Sequence, residues 1–312
     1  MTAAQNGVDG DVVVFVDGTE EAWYAFNWAH DEARRTGRAL CVAHVDPHGD
    51  AQVVADSGGD DVLAEAAARL ADIESPVQVD TRRYCETFQN AVSHASERAA
   101  LIVVGSGSRH LLQPRLIGRT HGLLGRTTCP MVVMAANARP DLDGVITIGV
   151  SLSPGGLAAL RFGCTEARRS GRAVVGVRAW SDSDWRLDAI DDDYTPAATW
   201  RSIESVVLEQ WLERARAQFP DLTIDGALVD SPVYWALEDR APSSALIVVG
   251  ARRARIAMLP PLGPVTSWAV HHAGGAVAVV PFDTDGDDEP DAPGPMAHAA
   301  DSDAAGLNRT RT

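Results

Sequence analysis

The sequence predicts an α/β protein made of two tandem doubly wound domains, each with a mostly parallel five-stranded sheet. Three observations carry that expectation. Leu101-Ile102-Val103-Val104-Gly105 recurs as Leu246-Ile247-Val248-Val249-Gly250. An all-apolar run ended by glycine suits a strand buried on both faces of a parallel sheet. Glu32-Ala33-Arg34-Arg35-Thr36-Gly37-Arg38-Ala39 recurs as Glu166-Ala167-Arg168-Arg169-Ser170-Gly171-Arg172-Ala173, at an offset of 134 residues. Between these landmarks strand-like and helix-like segments alternate, as in a parallel sheet covered on both sides. A repeat this long means tandem domains rather than a solenoid.

Residues 1–10 are small and polar and read as a disordered N-terminus. Val12 to Val16 is the first buried strand, closed by Asp17-Gly18-Thr19. Thr19 is placed to cap a helix with Glu20 and Glu21 in its first turn. Trp23, Phe26, Ala29 and His30 recur at helical spacing, Arg34 and Arg35 fall in the last turn, and Gly37 ends it. Leu40 to Val45 is the second strand, and Asp46 to Asp61 a polar connection. Val62, Ala66, Leu70 and Ile73 mark one face of the next helix, and Pro76 to Val79 reads as a short strand. Phe88 to Arg98 is a helix, the Leu101 run the fourth strand, and Met131 to Met134 the fifth. These segments form a first domain over residues 11–136.

Residues 137–143 read as a linker, and the pattern restarts with Val145 to Val150 in a second domain over residues 144–282. The landmark offsets grow from 134 to 145, so the second copy holds 11 extra residues. Their natural place is the acidic, aromatic-containing stretch from Ser181 to Tyr194. It leads into a long amphipathic helix with Trp200, Ile203, Val207, Trp211, Ala215 and Phe219 on one face, stopped by Pro220. Ala276 to Val280 is the last strand. Residues 283–312 carry eight acids and two arginines, with little to bury, and read as a disordered acidic tail.

The 312 residues carry a net charge of −16, which disfavours general binding to nucleic acid or anionic membrane. No apolar run approaches the roughly 20 residues of a membrane span. The N-terminal residues lack the pattern of a secretory signal, so the expected compartment is the cytoplasm. Cys41, Cys85, Cys129 and Cys164 show neither CxxC spacing nor clustering with histidine, so all four read as small buried apolar residues. His110, His121, His271 and His272 have no partner at metal or acid–base spacing, and Asp191-Asp192-Asp193 reads as a solvated acidic run. No metal is expected.

The loops after the two Val-Val-Gly strands hold the chemistry. Gly105 to Gly118 and Gly250 to Gly263 are the same 13-residue interval. A strand that ends in glycine and opens toward a helix is where α/β sheets place their ligands. Each loop is also basic, with Arg109, Arg115 and Arg119 in the first and Arg252, Arg253 and Arg255 in the second. Such guanidinium groups can hold a phosphate or carboxylate, or pair with the acids of an acidic protein.

Two five-strand α/β units with these loops resemble the universal stress protein family in its tandem form, over nearly the whole stretch from Asp11 to Pro281. The fold so implied is that of the adenine nucleotide alpha-hydrolase-like group. The family's ATP-binding branch carries Gly-x2-Gly-x9-Gly-Ser/Thr. The spacing is kept here as Gly105, Ser108, Gly118 and Arg119, and again as Gly250, Arg253, Gly263 and Pro264. The second glycine and the hydroxyl are replaced in both copies. The family's next hydroxyl position is matched by Thr266 in the second copy and by His121 in the first. Its adenine-side aspartate is matched by Asp17, with Ser151 in the second copy.

The resemblance thus implies a site for ATP or another adenine nucleotide in the first domain, at Asp17, Val45, Gly105, Ser108, Gly118, Arg119 and Thr120. It implies a degenerate counterpart at Gly250, Gly263 and Thr266, where Arg253 crowds the backbone and Pro264 lacks both N–H and hydroxyl. It also implies pairing of the two domains through their fifth strands, with a homodimer of the whole chain and an unidentified protein partner as further expectations. The function expected is that of a stress-response regulatory binding protein. Two alternatives stand beside it: an interaction scaffold that binds no nucleotide, and a weak ATPase or phosphoryl-transfer enzyme. For the latter the sequence offers no catalytic base, so the reading leans away from an enzyme.

Overall fold

A computed structural model describes residues 10–46, 59–71, 76–106, 127–135, 138, 140–151, 153–180, 197–253 and 264–283. The strands are β1 (Val12–Phe15), β2 (Leu40–Val45), β3 (Val79–Tyr84), β4 (Leu101–Gly105), β5 (Met131–Met134), β6 (Val145–Gly149), β7 (Val174–Trp180), β8 (Ile224–Asp230), β9 (Ser244–Arg252) and β10 (Ala276–Phe282). They form one ten-stranded sheet in the order β3-β2-β1-β4-β5-β10-β9-β6-β7-β8. Every neighbouring pair is parallel except β5 with β10, which run antiparallel with Met134 opposite Ala276 and Met131 opposite Val279. The sheet is therefore two five-stranded halves of the same order, set back to back.

Seven α-helices are described: α1 (Glu20–Thr36), α2 (Gly59–Ala71), α3 (Phe88–Ser96), α4 (Pro154–Ser170), α5 (Ala197–Gln218), α6 (Val233–Glu238) and α7 (Pro264–His272). Because successive strand residues point to opposite faces, Val12, Val14 and Val16 join one core with α1, α4 and α5, while Val13 and Phe15 join another with α3, α6 and α7. Each core contains residues of both halves, so burial runs without a break across the β5–β10 pair.

The repeated helix signals act alike in both halves. The Thr19 and Ser153 hydroxyls cap α1 and α4 by accepting from Ala22 N–H and Gly156 N–H, each at 3.3 Å. Gly37 and Gly171 end the two helices at φ 68° and 70°, a left-handed conformation that favours glycine.

Three expectations are corrected. The third strand is not Pro76 to Val79 but Val79–Tyr84: its residues lie largely exposed at the sheet edge, so no apolar run marks it. The opposite edge, β8, reads as nothing in sequence for the same reason. The buried face of α5 is Glu204, Leu208, Trp211, Leu212 and Ala215, continued by Phe219 just after the helix, and Ile203 is 40% exposed. A glutamate takes the expected place of isoleucine because Glu204 pairs with Arg178 of β7. Cys85 is exposed, whereas burial pushes the Cys41 and Cys164 thiols up to about 11 and Cys129 up to about 12.

Candidate functional site

Within each half the strand order reverses direction beside the first strand. β1 lies between β2 and β4, and β6 lies between β7 and β9. Ligands of open α/β sheets bind outside the carboxyl ends of the strands at such a switch point. In the first half this brings together the end of β1 with Asp17, the end of β2 with Val45, and the end of β4 with Gly105. Asp17 is 9% exposed, and its Oδ1 accepts from the Thr19 N–H at 3.1 Å and from the Thr19 hydroxyl at 2.6 Å. The aspartate thus orders the residue that caps α1. The second half repeats the clasp without the charge, with Ser151 Oγ 2.8 Å from Ser153 Oγ.

Gly105 has a role that sequence reasoning assigned differently. A Cβ added there would lie 2.7 Å from the Glu21 carbonyl carbon and 2.9 Å from the Ala22 nitrogen. The first turn of α1 crosses directly over the end of β4, so this glycine is required by helix–strand approach. Gly250 is in the same position: its Cβ would lie 2.2 Å from the Gly155 carbonyl oxygen in α4.

Beyond the glycine the halves part. β4 ends at Gly105, with the Ser106 N–H still donating to Met134 O at 2.7 Å, whereas β9 continues through Ala251 and Arg252, which pair with Pro281 and Phe282 of β10. Arg253 N–H then donates to Phe282 O at 2.9 Å, and its guanidinium holds Asp283 at 2.8 Å. The main chain of Arg252 and Arg253 is thus committed to the ladder, and the Arg253 guanidinium is paired with an acid. A side chain on Gly155 would meet the Phe282 ring at 2.5 Å, so that ring also covers the start of α4. The Thr266 hydroxyl donates to Gly250 O at 3.1 Å. Pro264 is the first residue of α7, where a missing N–H costs nothing.

The structure brings Asp17, Val45 and Gly105 to one end of adjacent strands, and Thr266 to Gly250 in the second half. Ser108, Gly118, Arg119, Thr120 and Gly263 lie outside the described residues, as do Arg109, Arg115, Arg255 and Asp191 to Asp193. Among the described residues no group of three or more His, Cys, Asp or Glu side chains is placed to hold a metal ion, and no helix is long and apolar enough to cross a membrane.

Comparison with known proteins follows the same outline. Residues 10–135 match the model of the universal stress protein family. A universal stress protein of Mycobacterium bovis is 27% identical over 286 residues, covering 84% of this chain and 94% of that protein. One of Mycolicibacterium smegmatis is 26% identical over 301 residues, covering 88% of this chain and 98% of that protein. The crystal structure of a universal stress protein from Archaeoglobus fulgidus shares the fold, with a TM-score of 0.62 at 15% identity over 88% of this chain and 98% of that one.

Proposed function

We propose, from the match of residues 10–135 to the universal stress protein family and of most of the chain to proteins of that name, that it is a stress-response regulator whose first half binds an adenine nucleotide and whose second half does not. The observation that supports this most is the divergence at the two switch points. In the first half the strand ends carry a fixed carboxylate and β4 stops at its glycine. In the second the carboxylate is a serine and β9 runs on past Gly250.

The chemistry of the first site has two poles. Asp17 accepts hydrogen bonds and therefore suits the amino and hydroxyl groups of a nucleoside. The stretch from Gly105 through Ser108, Gly118, Arg119 and Thr120 carries N–H, hydroxyl and guanidinium groups of the kind that donate to phosphate oxygens. An acceptor at one end and donors at the other describe a nucleotide better than a bare anion.

The test is identification by mass spectrometry of small molecules released from the purified chain, with thermal-shift titrations of ATP, AMP and cyclic AMP. The expected result is one adenine nucleotide per chain, lost in Gly118→Val. No released nucleotide and no shift with any of the three would overturn the reading in favour of a scaffold.

A further inference from the structure

A cavity of about 200 Å3 opens on the opposite face from α1, between α3 and strands β1 to β3, toward the amino ends of the strands. Its lining includes Arg82, Tyr84, His94 and Arg98, with Asp11 at one side and the buried Cys41 at its floor. Two guanidinium groups and one carboxylate therefore share the lining. Arg82 and Tyr84 stand two residues apart and so share one face of β3, and a phenol can donate its proton as well as accept. Asp80 shares the strand face of Arg82 without lining the cavity, and His94 is held by Glu86 at 3.0 Å. Among the described residues neither Arg82 nor Arg98 forms an ion pair, in a chain with 43 acids.

The second half serves as an internal control. Val174 pairs with Ile224 as Leu40 pairs with Val79, so the position of Arg82 is taken by Ala227 and that of Tyr84 by Val229. Extending the offset of the two Val-Val-Gly strands, His94 becomes Asp239 and Arg98 becomes Ser243, while Cys41 becomes Val175. The same fold is built without any of these groups, so packing does not require them. They line a cavity in the first half and are missing from the matching positions of the second.

We propose that this cavity binds a small dianion, a phosphate or the phosphate of a monoester, between Arg82 and Arg98 with the Tyr84 hydroxyl as a third donor. The site is separate from the switch point. The cavity is smaller than the roughly 300–1,000 Å3 of sites that enclose a whole drug-sized ligand, so it suits a single phosphate group rather than a whole nucleotide. Guanidinium groups suit it because they present paired N–H donors to two oxygens at once.

The experiment titrates the full chain with inorganic phosphate and with glycerol 3-phosphate, by calorimetry and thermal shift, against sodium chloride at matched ionic strength. Saturable binding of the dianions beyond chloride is expected for the wild type, and equally for Gly118→Val, which disables only the nucleotide loop. Arg98→Ser is expected to weaken binding by about tenfold or more. Arg82→Ala with Arg98→Ser, which installs the residues of the second half, is expected to abolish it while melting within a few degrees of wild type in chloride. Arg98 is exposed, so the single variant decides the matter if the double variant fails to fold. Absence of a saturable response in the wild type, or unchanged affinity in folded Arg98→Ser, overturns the proposal. Loss of phosphate binding in Gly118→Val would assign it to the nucleotide loop instead and overturn it equally.

Discussion

Arg38 of the first half holds Glu166 of the second through two N–H···O bonds of 2.8 Å each. The repeat makes the same contact in reverse, with Arg172 donating to Glu32 at 2.9 Å and to Leu142 O at 3.1 Å. All four side chains are at most 6% exposed. The octapeptide that marks the sequence repeat is therefore a crossed pair of buried ion pairs that joins α1 to α4. A buried charge that loses its partner is costly, whereas replacing both partners by apolar groups is often neutral. Arg38→Ala is expected to destabilise the chain by about 3–5 kcal/mol, and Arg38→Met combined with Glu166→Leu to restore most of that. Urea unfolding of the two variants and the wild type reads the difference; an unaffected Arg38→Ala would show the pair to be idle.

Glu32 is the member of this group whose charge its surroundings oppose. Its Oε1 has no hydrogen-bond partner among the described residues. Burial holds its carboxyl above the ordinary value of 4.5, against the opposing pull of Arg172, and the nearby Glu166 pushes the same way as burial. An acid with a raised folded value contributes stability that is fully present below its unfolded value and is lost as pH rises through the folded value. Glu32→Gln fixes the uncharged form. The variant's stability relative to wild type is therefore expected to increase as pH rises above the ordinary carboxyl value of 4.5. Denaturant midpoints of both proteins, taken at pH 4.5 and at successively higher pH, measure it, and a difference that stays constant would remove the buried carboxylate as its source.

Gly105 and Gly250 give a prediction that needs no ligand. The atoms that a new Cβ would meet are backbone atoms of α1 and α4, which cannot swing aside. Gly105→Ala is expected to cost about 1–3 kcal/mol and Gly250→Ala at least as much, as for overpacking elsewhere. Gly149→Ala is the control, because its nearest neighbour is the Val249 side chain at 3.6 Å, an ordinary contact. Thermal melts that rank Gly149→Ala with the other two would refute the helix–strand explanation.

These positions also show what the sequence made legible. β4 and β9 are readable because strands buried on both faces must be continuously apolar. β3 and β8 are not, because an edge strand is half solvated and its polar residues break the run. The two glycines were visible, but their tight neighbours come from helices more than 80 residues away in sequence, so their packing role was not. The octapeptide was recognised as a repeat. That its glutamate and arginine trade partners between halves is a long-range relation that no local pattern encodes. The same holds for the cavity at Arg82 and Arg98, which unites an edge strand with the end of a helix.

Asp17 carries two roles that one substitution separates. Its carboxylate orders Thr19, and through it the cap of α1, while also presenting an acceptor at the switch point. The second half performs the capping task with serine, since Ser151 clasps Ser153 and Ser153 caps α4. Asp17→Ser therefore borrows a solution the fold already uses. It is expected to keep α1 capped, with a stability change of at most about 1 kcal/mol, the scale of a lost N-cap. Nucleotide affinity is expected to fall about tenfold or more, because a charged acceptor to the nucleoside is gone. Calorimetric titration with the nucleotide identified from the purified chain, paired with a urea melt of the same sample, reads both. A stable Asp17→Ser chain that binds as tightly as wild type would confine Asp17 to capping. It would then leave the first half with no more claim to a nucleoside than the second.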